Sequence, residues 1–89
     1  MMTAEEIQKF IEKKVTEKNK YVKIEFGKRE PLYGIFIIGE DYKYLCSKNF
    51  WRIVTTKYFD EFNKSNNSNL AKIFNGAEFS KLSLLSEEF

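Results

Sequence analysis

The chain reads as a mainly-β domain: one N-terminal helix followed by four to six short strands, rolled into a small, strongly bent sheet or barrel. Three observations predict this. Residues 3–18 carry apolar positions at helical spacing, and from Lys20 onward the period switches to two. The remaining apolar runs are short and separated by tight turns, the pattern of small curved sheets. With 89 residues, the chain forms one domain, 1–89, large enough to build a core without disulfide or metal staples.

The helix is the clearest element. Thr3-Ala4-Glu5-Glu6 has capping-box spacing, and Ile7, Phe10, Ile11 and Val15 recur on one face. Such a face covers a sheet or grips a partner. Asn19 is the expected stop. In 21–26, Val22, Ile24 and Phe26 alternate with Tyr21, Lys23 and Glu25, predicting a half-buried strand. A charged turn, 27–31, leads into the nearly continuous apolar run 32–39, expected for a strand covered on both faces or bent around a barrel. Gly34 in its middle suits a sharp bend.

Tyr42 to Ser47 is predicted as a third strand and Phe50 to Thr56 as a fourth, or as a continuation of the third. Tyr58, Phe59 and Phe62 suit one or two helical turns, which together with the polar Ser65-Asn66-Asn67-Ser68-Asn69 loop form an insertion at 57–69. Leu70 to Phe74 reads as extended, and Asn75-Gly76 as a hairpin-type turn able to take positive φ twice. The tail, 78–85, fits a strand or a short helix equally. The barrel proper thus runs over 20–85.

Composition excludes several chemistries. The chain has 15 Lys and Arg against 13 Asp and Glu, a net charge of +2 that alone announces neither a nucleic acid nor a membrane. Without histidine, Ser-His-Asp and Cys-His catalysis and His-containing zinc sites are ruled out. The four glycines are too scattered for a phosphate-cradling loop, and no EF-hand spacing occurs. The carboxylate pairs Glu5/Glu6, Glu40/Asp41, Asp60/Glu61 and Glu87/Glu88 sit at helix ends, turns or the terminus, where acidic residues solubilise. Cys46 has no histidine to activate it and reads as core. No catalytic residue, metal or cofactor is therefore expected. A lone cysteine, and no uninterrupted apolar segment in residues 1–20, predict a cytoplasmic protein without a membrane span.

Certain residues also resemble a family. The strand Val22-Lys23-Ile24-Glu25-Phe26, the turn Gly27-Lys28-Arg29-Glu30, Gly34 and Asp41 follow the order of the first motif of Sm-like proteins, the small barrels that include the bacterial Hfq proteins. Ile73-Phe74-Asn75-Gly76-Ala77-Glu78-Phe79-Ser80-Lys81-Leu82 has the outline of the second. The resemblance covers about half the chain and implies a five-stranded Sm-like or SH3-like barrel, with the helix across one open end. Leu45 stands where such proteins carry a base-contacting Asn, Asn75 stands where they carry a basic residue, and the Gly34-to-Asp41 spacing is one residue longer.

The aromatic content is high, with one Trp, five Tyr and nine Phe, and many of these rings are interleaved with Lys and Arg. Rings beside cations are how single strands are held without sequence reading. The same rings could fill barrel ends and a subunit interface. The resemblance implies RNA as ligand, with Lys28, Arg29, Tyr42, Lys43, Trp51, Arg52, Asn75 and Lys81 as contacts. It also implies a homo-oligomer joined through edge strands, with Leu70, Ile73, Phe74, Phe79 and Leu82 at the interface and Leu84 and Leu85 beside them. The expected function is a non-enzymatic RNA-binding module. The alternative is a protein–protein adaptor or structural oligomer with an unidentified protein partner, recognisable by an apolar patch around Trp51, Tyr58, Phe59 and Phe62.

Overall fold

The computed structural model describes residues 2–15 and 21–84. Its first helix, α1 (Ala4–Lys14), starts where the capping box places it. The Glu6 backbone N–H donates to Thr3 Oγ1 at 3.2 Å, and the Thr3 backbone N–H donates to Glu6 Oε1 at 2.9 Å. The expected continuation through 16–18 and the Asn19 stop lie outside the described residues.

Five strands follow: β1 (Val22–Phe26), β2 (Leu32–Phe36), β3 (Phe50–Thr55), β4 (Lys72–Asn75) and β5 (Phe79–Leu84). The segment expected as the third strand is instead a short helix, α2 (Tyr42–Ser47). The reason lies in its burial. The residues turned inward are Leu45 and Cys46, with Tyr42 half-buried, which is i, i+3, i+4 spacing rather than alternation. Asn49, at φ 62°, ends that helical stretch and redirects the chain into β3. A second short helix, α3 (Phe59–Ser65), closes at Asn66 in the left-handed region. The tail 79–84, left open between strand and helix, is strand.

All ladders are antiparallel, in the order β4-β3-β2-β1-β5. The outermost strands β4 and β5 are nonetheless joined by only a three-residue 3-10 turn, Gly76–Glu78. In a flat sheet they would stand about 19 Å apart, four strand spacings. The linker from Asn75 to Phe79 spans at most ~14 Å even when fully extended. The sheet therefore curls. Among the described residues no ladder joins β4 to β5, so it remains open.

The curled sheet has two covered faces. On one, α1 sets Ile7 and Ile11 against Val22, Ile24, Phe26, Phe36, Trp51, Ile53, Phe79 and Leu82, with Cys46 from α2. On the other, Phe59 and Phe62 of α3 pack on Ile35 and Val54. The run through β2 is apolar because its alternate residues serve both cores. A Cβ at Gly34 would run into the Ile53 side chain, so glycine there permits the β2–β3 approach. Gly76 does not take the positive φ expected of it, since no glycine has one. It is glycine because a Cβ would strike Asn49, Ile7 and Trp51.

Candidate nucleic-acid interface

The eight expected RNA contacts do not converge on one surface. Trp51 is 2% exposed and belongs to the core. Its ring meets Phe36 and Tyr42 edge-on, at 6.2 and 6.0 Å between centroids. Its Nε1–H donates to Asn49 Oδ1 at 2.8 Å. No face is left for a base, so the expectation that Trp51 stacks on RNA is corrected. Asn49 is the hub of this corner. Its side-chain amide donates to the Met2 carbonyl at 3.2 Å, and its own carbonyl accepts from the Gly76 N–H at 2.8 Å.

Tyr42 is also turned inward. Its hydroxyl is buried with no hydrogen-bond partner. Burial, reinforced by Cys46 and Glu12, pushes its ionisation up to about 12. Arg52 is half-buried and committed: its Nε and Nη2 both donate to Asp41 Oδ2, at 2.9 and 2.6 Å. The guanidinium holds the Asp41 carboxyl below the usual carboxylate range. The pair ties the start of α2 to β3, beside a cleft of about 420 Å³ that also takes in Ile37, Gly39, Glu40, Ser68 and Asn69. Asn75 uses its side chain locally, accepting from the Ala77 N–H at 2.9 Å. Lys43 is exposed on α2, and Lys81 is exposed on β5 opposite Glu25 of β1.

Lys28 and Arg29 remain. They project from the β1–β2 turn and are exposed. The Arg29 guanidinium lies over the Phe26 ring at 4.8 Å. Because β5 begins opposite the end of β1, with Phe26 against Phe79, this turn faces the 3-10 turn. Between them opens a cleft of about 450 Å³ lined by Phe26, Gly27, Lys28, Arg29, Ala77, Glu78, Phe79 and Ser80. Phe26 and Phe79 back it edge to face, with centroids 5.5 Å apart.

The expected interface residues also divide. Phe79 and Leu82 are buried at 0% and 8%, their side chains spent on the core rather than on a second copy. Leu70 and Phe74 are half-buried, packed respectively on the second and first cores. Ile73 on β4 and Leu84 on β5 are presented to solvent, at 50% and 38%. Leu85 lies outside the described residues. The adaptor's signature is not met either, because Trp51, Phe59 and Phe62 are all buried.

Two surface residues were missed. Glu78 completes the cleft, and Tyr44 is 64% exposed, with the Lys48 ammonium 5.4 Å from its ring centre. Reading 42–47 at helical spacing would have turned Tyr44 outward and Tyr42 inward. Among the described residues, no group of three or more potential metal ligands occurs and no helix is long and apolar enough to cross a membrane. The buried Cys46 thiol donates to Gln8 Oε1 at 3.4 Å, and burial raises its ionisation. In comparisons with known proteins, no family model, no curated protein and no solved structure matches the chain.

Proposed function

We propose that this chain is a non-enzymatic binding module, a diverged Sm-like barrel that assembles with copies of itself in the cytoplasm and holds single-stranded RNA. The observation that carries the reading is the pair of unlike free edges at the ends of one curled sheet. Edge strands expose unpaired N–H and C=O groups and invite pairing. Here β4 presents Ile73 and β5 presents Leu84, so the edge of one copy meets a different edge of the next. A head-to-tail contact of that kind closes into a ring when the rotation permits.

RNA is supported by the resemblance of the two motifs and by the uncommitted cations of the β1–β2 turn, which suit phosphate. The adaptor reading has less support, since the aromatic cluster it needs is largely interior. Native mass spectrometry of the protein, purified from cells at low salt, tests both halves at once. A ring-sized oligomer carrying RNA mass is expected. A bare monomer would overturn the reading.

A further inference from the structure

We infer that the cleft between the β1–β2 turn and the 3-10 turn is a ribonucleotide site, with Lys28 and Arg29 on the phosphate and Glu78 accepting from the ribose 2′-hydroxyl. The inference rests on the RNA reading above and narrows it to one place and one sugar. The cleft, about 450 Å³, falls within the size range of small-ligand sites. Its two walls carry opposite charge. Lys28 and Arg29 stand on one and Glu78 on the other, yet among the described residues none of the three takes part in an ion pair. The walls are thus held apart with their charges unspent.

Arg29 is oriented by its contact with Phe26, which occupies one face of the guanidinium and leaves the N–H groups at its rim free to donate. A ligand that fits must bring an anion to the turn and a hydrogen-bond donor to Glu78. A carboxylate repels phosphate, so it sets the direction in which a nucleotide enters. The ribose 2′-hydroxyl is such a donor, and deoxyribose lacks it. Phe26 and Phe79 lie behind the cleft as core residues, fixing its floor rather than offering a face to a base, and Ser80 adds a hydroxyl at its rim.

The test is fluorescence anisotropy with labelled oligouridylate and oligodeoxyuridylate of equal length, across a salt series. The two probes carry the same base, with the same N3–H donor, and differ only at the sugar 2′ position. The full-length chain is expected to prefer the ribo form. Glu78→Ala should cut that preference roughly tenfold, the worth of one hydrogen bond to a charged group, chiefly by weakening the ribo probe. Glu78→Gln, which keeps an acceptor oxygen, should retain most of it. Replacing both Lys28 and Arg29 by Ala should weaken both probes and lower the log–log salt slope by about 0.7 per cation removed. Binding of RNA with an unchanged sugar preference in Glu78→Ala and an unchanged salt slope in the double variant would overturn this site while leaving the RNA reading intact. Failure of the unmodified protein to bind either probe would overturn that reading, and this site with it.

Discussion

Two stretches of this molecule pair an aromatic ring with cations and put them to opposite uses. In Phe50-Trp51-Arg52 the ring is interior and the cation is bound to Asp41. In Phe26-Gly27-Lys28-Arg29 the ring is buried too, but it lies behind a cleft and both cations face solvent. The difference comes from position. The first stretch lies within β3, flanked by β2 and β4 and covered by α2, so Trp51 and Arg52 both have neighbours to satisfy. The second is the end of β1 and its turn, where the chain reverses and neighbours run out. An aromatic–basic pattern marks a binding surface only where the topology leaves it uncovered.

The largest effect should come from breaking the covered stretch. Trp51→Ala removes a ring that meets Phe36 and Tyr42 and leaves Asn49 Oδ1 without its donor. Truncations of this kind cost ~3–5 kcal/mol, which is much of the stability of a domain this size. Urea denaturation followed by circular dichroism should show the loss. A stability change below ~1 kcal/mol would mean that Trp51 is less enclosed than its 2% exposure states.

Next is Gly76→Ala, which tests the same corner from the turn side. The added methyl would meet Asn49, Ile7 and Trp51, and overpacking of that sort costs ~1–3 kcal/mol. Because the Gly76 φ is negative, no backbone strain contributes. The whole loss should therefore be steric. It should shrink when Ile7→Val is added, a coupling that a double-mutant cycle measures.

The helix, the alternating β1 and a strand at 50–56 were legible because each rests on a local pattern: the Thr3/Glu6 cap, the Val22-Ile24-Phe26 alternation, the β-branched run through Val54. What was not legible depended on partners distant in sequence. Tyr42-Lys43-Tyr44-Leu45-Cys46 satisfies both periods for a few residues, and only the packing of α2 on α1 and β3 chooses the helix. Gly76 looked like a turn glycine because a close approach by Trp51 and Ile7 leaves no mark nearby. For the site, the Lys28-Arg29 turn was visible as charge. Glu78 was not, because its relation to that turn exists only through the Phe26–Phe79 pairing of β1 with β5.

A smaller effect should come from Tyr42→Phe. The hydroxyl is buried without a partner, so its removal should change stability at neutral pH by less than ~1 kcal/mol, in the stabilising direction. The variant differs more clearly in alkali. The folded state keeps this phenol protonated to about 12, whereas the unfolded chain ionises it near 10.0. Ionisation then favours the unfolded chain, so stability falls as pH rises from 10.0 toward 12. Tyr42→Phe should lack that component. Parallel alkaline stability curves for the two proteins would place the hydroxyl in water.

The smallest effect on stability belongs to the open stretch, and it gives the comparison its sharpest form. Lys28 and Arg29 make no ion pair among the described residues, and their one recorded interaction is Arg29 over Phe26. An exposed contact of that kind is worth about 0.5 kcal/mol, so the double alanine variant should unfold within about that margin of the unmodified protein. If the chain binds RNA as proposed, the loss of affinity should nevertheless be the greatest of the variants that stay folded. A drop in stability comparable to that of Trp51→Ala would mean the turn is a structural brace, and the two stretches would then be two versions of the same packing. Intact stability with lost binding would mean that the fold leaves these charges free for a ligand, with the β1–β5 pairing setting the opposite wall in place.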